Sequence, residues 1–119
     1  MSSGEKRLHK RVPHSAPVVV RVKACPQQPE LEGVSFPCAT TDISEGGVRL
    51  QTDRLLPFDC LLELEAKVLD RTFLLTGRVI WSGQVEEHLA YTGVQFPAQE
   101  DDRLWPWKIQ VARVFQSGK

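Results

Sequence analysis

The segment Leu61-Leu-Glu-Leu-Glu-Ala-Lys-Val68 alternates apolar and polar residues after its first position, the period-two pattern of a β-strand with one dry and one wet face. Five further segments read the same way. Pro17-Val-Val-Val-Arg-Val-Lys-Ala24 is rich in β-branched residues and closes at Cys25-Pro-Gln-Gln-Pro29, whose prolines cannot continue a central strand. Val34 to Ile43 is interrupted by Pro37 and reads as irregular or as an edge. Val48-Arg-Leu-Gln-Thr52 alternates again after the turn Ser44-Glu-Gly-Gly47. Beyond a loop over Leu55 to Asp59 and the Leu61–Val68 strand, Asp70-Arg71 is expected as a hairpin turn. It leads into Phe73-Leu-Leu-Thr-Gly-Arg-Val-Ile-Trp81, the best candidate for a central strand, with Gly77 marking a bend or bulge. A polar turn from Ser82 to His88 precedes the sixth strand, Leu89 to Phe96, which Pro97 ends.

The tail from Glu100 changes period. Leu104, Trp107, Ile109, Val111, Val114 and Phe115 suggest the apolar face of a docked helix, with Asp101 or Asp102 as N-cap, Pro106 in the first turn and Gly118 after the end. Trp105 and Trp107 are expected to anchor it. The expected fold is all-β: a six-stranded antiparallel barrel, which removes exposed edges, with a C-terminal α-helix covering one end.

At 119 residues the chain has the size of one domain, and it lacks both an apolar run long enough to span a membrane and an apolar stretch after its Met-Ser-Ser-Gly-Glu-Lys-Arg start. A cytoplasmic location is the expectation. Cys25, Cys38 and Cys60 are odd in number with no close pair, so they read as small buried residues rather than as a disulfide framework or metal site. His9, His14 and His88 share no metal-ligand spacing. No nucleophile with a base, paired carboxylates or metal set emerges, so no catalytic residue, metal or cofactor is assigned and an enzyme is not expected.

The formal charge is zero, but it is unevenly spread. Residues 1–23 carry Lys6, Arg7, Lys10, Arg11, Arg21 and Lys23 against the single acid Glu5, a net of +5, which leaves −5 for the rest. A basic terminus is either a solvated tail or an anion-binding arm. Residues 1–15 are read as a mobile arm and residues 16–119 as the barrel with its helix.

Two short patterns bear on that choice: Arg7-Leu-His-Lys-Arg11, two arginines four apart, and Asp42-Ile-Ser-Glu-Gly-Gly47. A guanidinium is planar and permanently charged, pairs bidentately with phosphate or with guanine O6 and N7, and stacks on a flat base. Asp42 offers an acceptor-only carboxylate suited to the N1 and N2 donors of guanine. Ser44 can donate to a phosphate oxygen, and Gly46 and Gly47 allow close backbone approach. Read without the arginines, the second pattern is equally a turn in which Asp42 and Ser44 bond their own backbone.

Together the patterns resemble those of the PilZ domains, bacterial receptors for cyclic di-GMP: Arg7 and Arg11 match the RxxxR arm, and Asp42, Ser44 and Gly47 match the [D/N]xSxxG motif. Gly77-Arg-Val-Ile-Trp81 and Gly93-Val-Gln-Phe96 resemble later strands of the family. The resemblance implies a six-stranded barrel on whose surface the arginines contact guanine and phosphate while the second motif completes the pocket. Expected ligand contacts are therefore Arg7, Arg11, Asp42, Ser44 and Gly47, with Lys6 and Gly46 as further candidates. Lys6, just before the first arginine, also bears on whether one cyclic di-GMP or a stacked pair is bound, and its charge leans toward the pair.

The function this implies is a receptor whose arm changes conformation on binding cyclic di-GMP and which signals through a separate protein effector in motility, pilus or exopolysaccharide control. One rival is a ligand-independent PilZ-like protein–protein adaptor. Another is a small nucleic-acid-binding barrel, disfavoured because the barrel portion is acidic and its aromatics are not clustered with basic residues.

Overall fold

The computed structural model describes residues 11–97 and 104–117. The chain forms β1 (Val12–Pro13), β2 (Pro17–Ala24), β3 (Ser35–Ser44), β4 (Gly47–Thr52), β5 (Leu61–Val68), β6 (Arg71–Glu86), β7 (Leu89–Gln95) and α1 (Trp105–Ser117). Six strands pair antiparallel in the order β3, β2, β5, β6, β7, β4, and a β3–β4 pairing closes the ring. The expected six-stranded barrel with a C-terminal helix is the observed fold. The two-residue β1 extends the line of β2 along β3, pairing Val12 with Ile43 and Pro13 with Asp42.

Alternation does what it should in the regular strands. Val18, Val20 and Val22 of β2 point inward with Leu62, Leu64, Ala66 and Val68 of β5, all essentially inaccessible to water. Pro37 is tolerated opposite Val19, because the hydrogen-bonded positions fall on the even-numbered residues of β3 and β4 pairs with β3 only from Ala39 onward.

Several expectations change. The segment Ser82 to Glu86, expected as a turn, continues β6, and the reversal falls at Glu87–His88. This stretch is exposed on both faces and carries no apolar alternation, so only its pairing with Leu89–Thr92 reveals it as strand. The β5–β6 reversal is Leu69–Asp70 rather than Asp70–Arg71, with Leu69 at φ 56°. Gly77 stays in register opposite Leu62 and marks a close crossing: a Cβ there would lie 2.5 Å from Val94 Cγ1. The register shift expected at Gly77 instead lies between Val79 and Trp81.

The cysteine reading is also corrected. Cys25 and Cys60, fully buried and 35 residues apart, lie with their Cα atoms at 4.4 Å and form a disulfide. A pairing across that separation is made by the fold and leaves no spacing signature. Cys38 is free, and burial, with the Asp53 charge second, pushes its thiol up to about 12.

Helix α1 covers the barrel end where the β3–β4 and β5–β6 hairpins lie. Trp107 is fully buried, with Phe73 and Phe96 edge-on to it at 5.4 and 5.7 Å. Leu104, Val111 and Val114 share the buried face, and Pro106 sits in the first turn as expected. Ile109, expected on that face, and Trp105, expected to anchor the helix, are instead 56% and 60% exposed, and Gln110 is buried. Helical spacing from Trp107 puts residues 110, 111 and 114 on one side, so geometry overrides hydrophobicity at 109 and 110. The Asp101 or Asp102 cap and Gly118 lie outside the described residues. No helix among the described residues is long and apolar enough to cross a membrane.

Candidate ligand-binding site

The chain leading into the barrel is zipped onto β3. His14 donates its amide to the Thr41 carbonyl and Thr40 donates to Ala16, while the Thr40 hydroxyl accepts from the Ala16 amide and donates to the His14 carbonyl. This brings Arg11 alongside the second half of β3.

A β-bulge at Thr41 then sets the direction of Asp42. One extra residue between the paired positions Thr40 and Asp42 lets Thr40 and Ile43 both face inward while Asp42 faces out. Across the outer surface, Asp42 is followed by its cross-strand neighbours Arg49 on β4, Gly93 on β7 and Trp81 on β6. Gly93 is what lets this row lie flat, because a Cβ there would collide with the Trp81 indole.

Arg11 Nη1 donates to Asp42 Oδ1 at 2.5 Å, and Arg49 Nε stands 3.6 Å from Asp42 Oδ2. The Arg49 guanidinium also lies over the Trp81 ring, 5.3 Å from its centroid. Its Nε is buried with no hydrogen-bond partner among the described residues. Two cations therefore share one carboxylate, so the row carries a net positive charge against an aromatic wall, an arrangement that favours an anion with a flat, stackable part. Beside it opens a groove of about 520 Å³ lined by Thr41, Asp42, Arg49, Trp81, Gly83, Gln84, Val85 and Tyr91. That volume lies in the usual range for small-molecule sites.

Of the residues singled out in the sequence, Arg11 and Asp42 meet directly. Ser44, Gly46 and Gly47 form the adjoining hairpin. The Ser44 hydroxyl, buried, donates to the Gly47 carbonyl at 3.2 Å, and the Gly46 carbonyl accepts from the Phe96 amide at 2.8 Å. Gly47 has no room for a side chain, since a Cβ would strike the Val94 carbonyl oxygen. Lys6 and Arg7 lie outside the described residues.

The likeness is not confined to these motif residues: the family model described as PilZ domain matches residues 5–106. The chain belongs to the PilZ domain family. PilZ domains are binding domains that form a receptor family for cyclic di-GMP, rather than enzymes. Among solved structures, the chain is similar to the PilZ domain of CeSA from a cellulose-synthesizing bacterium, at 17% identity and a TM-score of 0.60 over 92% of this chain and 99% of that one. At that identity the likeness concerns the fold. No curated protein sequence matches the chain.

Sequence reading missed Arg49, Trp81, Gly93 and Tyr91 as neighbours of the motif. Arg49 had a local signal, since it stands on the wet face of an alternating strand two residues after Gly47. Trp81 opposite Gly93 is a cross-strand aromatic–glycine pairing, visible only once register is known.

Proposed function

We propose that this PilZ domain is a receptor for cyclic di-GMP, which it binds in the groove beside Asp42, and that it signals by presenting the closed arm to a separate protein. The observation that carries the reading is the convergence of Arg11 from the first motif with Asp42 from the second beside a groove walled by Trp81 and Arg49. In this scheme Asp42 accepts from the guanine N1 and N2 donors, Arg11 and Arg7 grip base and phosphate, and Trp81 offers a stacking surface. Lys6 adds charge that favours a stacked ligand pair. Ser44, Gly46 and Gly47 shape the hairpin beneath the ligand.

Binding must compete with the existing Arg11–Asp42 contact, so the arginine changes partner or shares the carboxylate with the base. That exchange gives the ligand a direct hold on the arm. The arm then folds over the bound dinucleotide, and the new charged surface is what an effector in motility, pilus or exopolysaccharide control recognises.

Calorimetric titration with cyclic di-GMP tests the reading. Saturable binding is expected, weakened about 10- to 100-fold in Arg7→Ala, Arg11→Ala and Asp42→Ala, the range for losing a charge-assisted hydrogen bond. A stoichiometry of two per chain supports the stacked pair. Absence of binding at high ligand concentration sinks the receptor and favours a ligand-independent adaptor.

A further inference from the structure

Two buried residues of helix α1, Trp107 and Gln110, donate side-chain hydrogen bonds to the barrel, and they reach different hairpins. Trp107 donates its indole N–H to the Ser44 carbonyl at 2.9 Å, whereas Gln110 donates to the Val68 carbonyl at 2.7 Å. Both residues are at most 1% exposed. The first bond lands in the middle of the Asp42–Gly47 motif, two residues from the carboxylate. The second lands at the end of β5 beside the Leu69–Asp70 turn, none of whose residues lines the groove, which β6 reaches only from Trp81 onward.

We propose that Trp107 is a positioning residue of the ligand site, fixing the β3–β4 hairpin through the Ser44 carbonyl so that Asp42 is held at its place in the row. The proposal rests on the cyclic di-GMP reading of the groove. Three contacts make this hairpin a rigid lever: the Ser44 hydroxyl on Gly47, the Phe96 amide on Gly46, and the close fit of Gly47 against Val94. Each of these ties the hairpin to itself, to β7 or to Phe96 just beyond it. Trp107 adds a tie from the helix, and its ring is seated between Phe73 and Phe96, so the indole nitrogen has little freedom to follow a hairpin that moves. Asp42 is paired with Arg49 and Ser44 with Gly47 in one continuous ladder, so tilting the hairpin end shifts the carboxylate relative to Arg49 and the groove. Linkage makes the coupling reciprocal: a ligand that holds the hairpin also holds the Trp107 indole in place.

The simpler account is that Trp107 is only a core aromatic, and the two helix donors allow the accounts to be separated. Trp107→Phe keeps a ring against Phe73 and Phe96 but removes the N–H, while Gln110→Met removes the bonds to Val68 and Asp70 at similar side-chain length. Both variants are expected to lower the thermal midpoint. A roughly five- to tenfold loss of cyclic di-GMP affinity is expected in Trp107→Phe alone, with faster amide hydrogen exchange at Gly46 and Gly47. Equal affinity loss in the two variants, or unchanged affinity and exchange in Trp107→Phe, overturns the positioning role.

If Trp107→Phe fails to fold, the benzothiophene analogue of tryptophan at position 107 replaces N–H by sulfur at nearly constant volume and is read the same way. In the unaltered chain, the Trp107 indole N–H is expected to exchange more slowly with cyclic di-GMP present, and ligand-insensitive exchange counts against the coupling. Should the unaltered chain bind no cyclic di-GMP, the receptor reading fails, while exchange at Gly46 and Gly47 in the two variants still decides whether Trp107 holds the hairpin.

Discussion

The β3–β4 hairpin and the turn-proximal part of the β5–β6 hairpin lie at the same end of the barrel and take the same kind of support from one helix, yet they present different outer faces. On β5–β6 the outward residues Glu63, Glu65 and Lys67 stand opposite Thr76, Leu74 and Thr72, a mixed surface open to solvent. On β3–β4 the bulge at Thr41 turns Asp42 toward Arg49, and the row continues over Gly93 to Trp81. The difference teaches that the proposed ligand site is a modification of the outer surface, made by one extra residue and one missing side chain. The interior packing that supports both hairpins is shared.

The sharpest way to break this contrast is at the glycines. Gly47→Ala drives a Cβ into the Val94 carbonyl, where backbone rather than a movable side chain must give way. Urea unfolding is expected to show a loss of about 3 kcal/mol, at the upper end for overpacking. Gly83 also lines the groove but has nothing within 4 Å of a built Cβ, so Gly83→Ala is expected to leave stability nearly unchanged. Equal losses in the two would mean that glycine flexibility, not close approach, matters at residue 47.

Gly93→Ala is the intermediate case. The group in its way is the Trp81 indole, which is 37% exposed and free to swing outward. Stability is expected to fall by only about 1 kcal/mol, while the groove loses its wall and affinity for cyclic di-GMP drops about tenfold. A changed Trp81 indole resonance reports the displacement. An unchanged affinity would remove Trp81 from the binding surface.

The smallest effect belongs to the other hairpin. Asp70 is held below the usual carboxylate range first by its hydrogen bond from Gln110, then by its own backbone and by Arg113 and Arg71. A depressed carboxylate adds stability that is present above its ordinary value of 3.8 and is lost as pH falls through the folded value. Asp70→Asn is therefore expected to lower the melting midpoint slightly at pH 7 and not at all near pH 2, since the group is exposed and screened. Ligand affinity should stay the same, which separates the β5–β6 turn from the β3–β4 hairpin.

Much of the barrel was legible because period-two patterns are strict where one face is dry. The bounds Pro17–Ala24 and Leu61–Val68 coincide with β2 and β5. The far half of β6 was illegible because both faces from Ser82 onward are wet, and a strand without a dry face leaves no alternation. On α1, hydrophobicity pointed to Ile109 while the spacing from Trp107 pointed to Gln110, and the spacing was the better guide. The motifs named Arg11 and Asp42, but the Arg49–Gly93–Trp81 row depends on register across three strands and could not be counted along the chain. The Cys25–Cys60 disulfide was hidden for the same reason.

The most direct test of the central claim is a nuclear magnetic resonance titration of the ¹⁵N-labelled chain with cyclic di-GMP. Saturable shifts are expected at the Asp42, Arg49 and Gly93 amides and at the Trp81 indole N–H, with Leu69 and Asp70 unmoved. Saturable binding that shifts Leu69 and Asp70 while leaving Arg49 and Trp81 unchanged would contradict the assignment of the site.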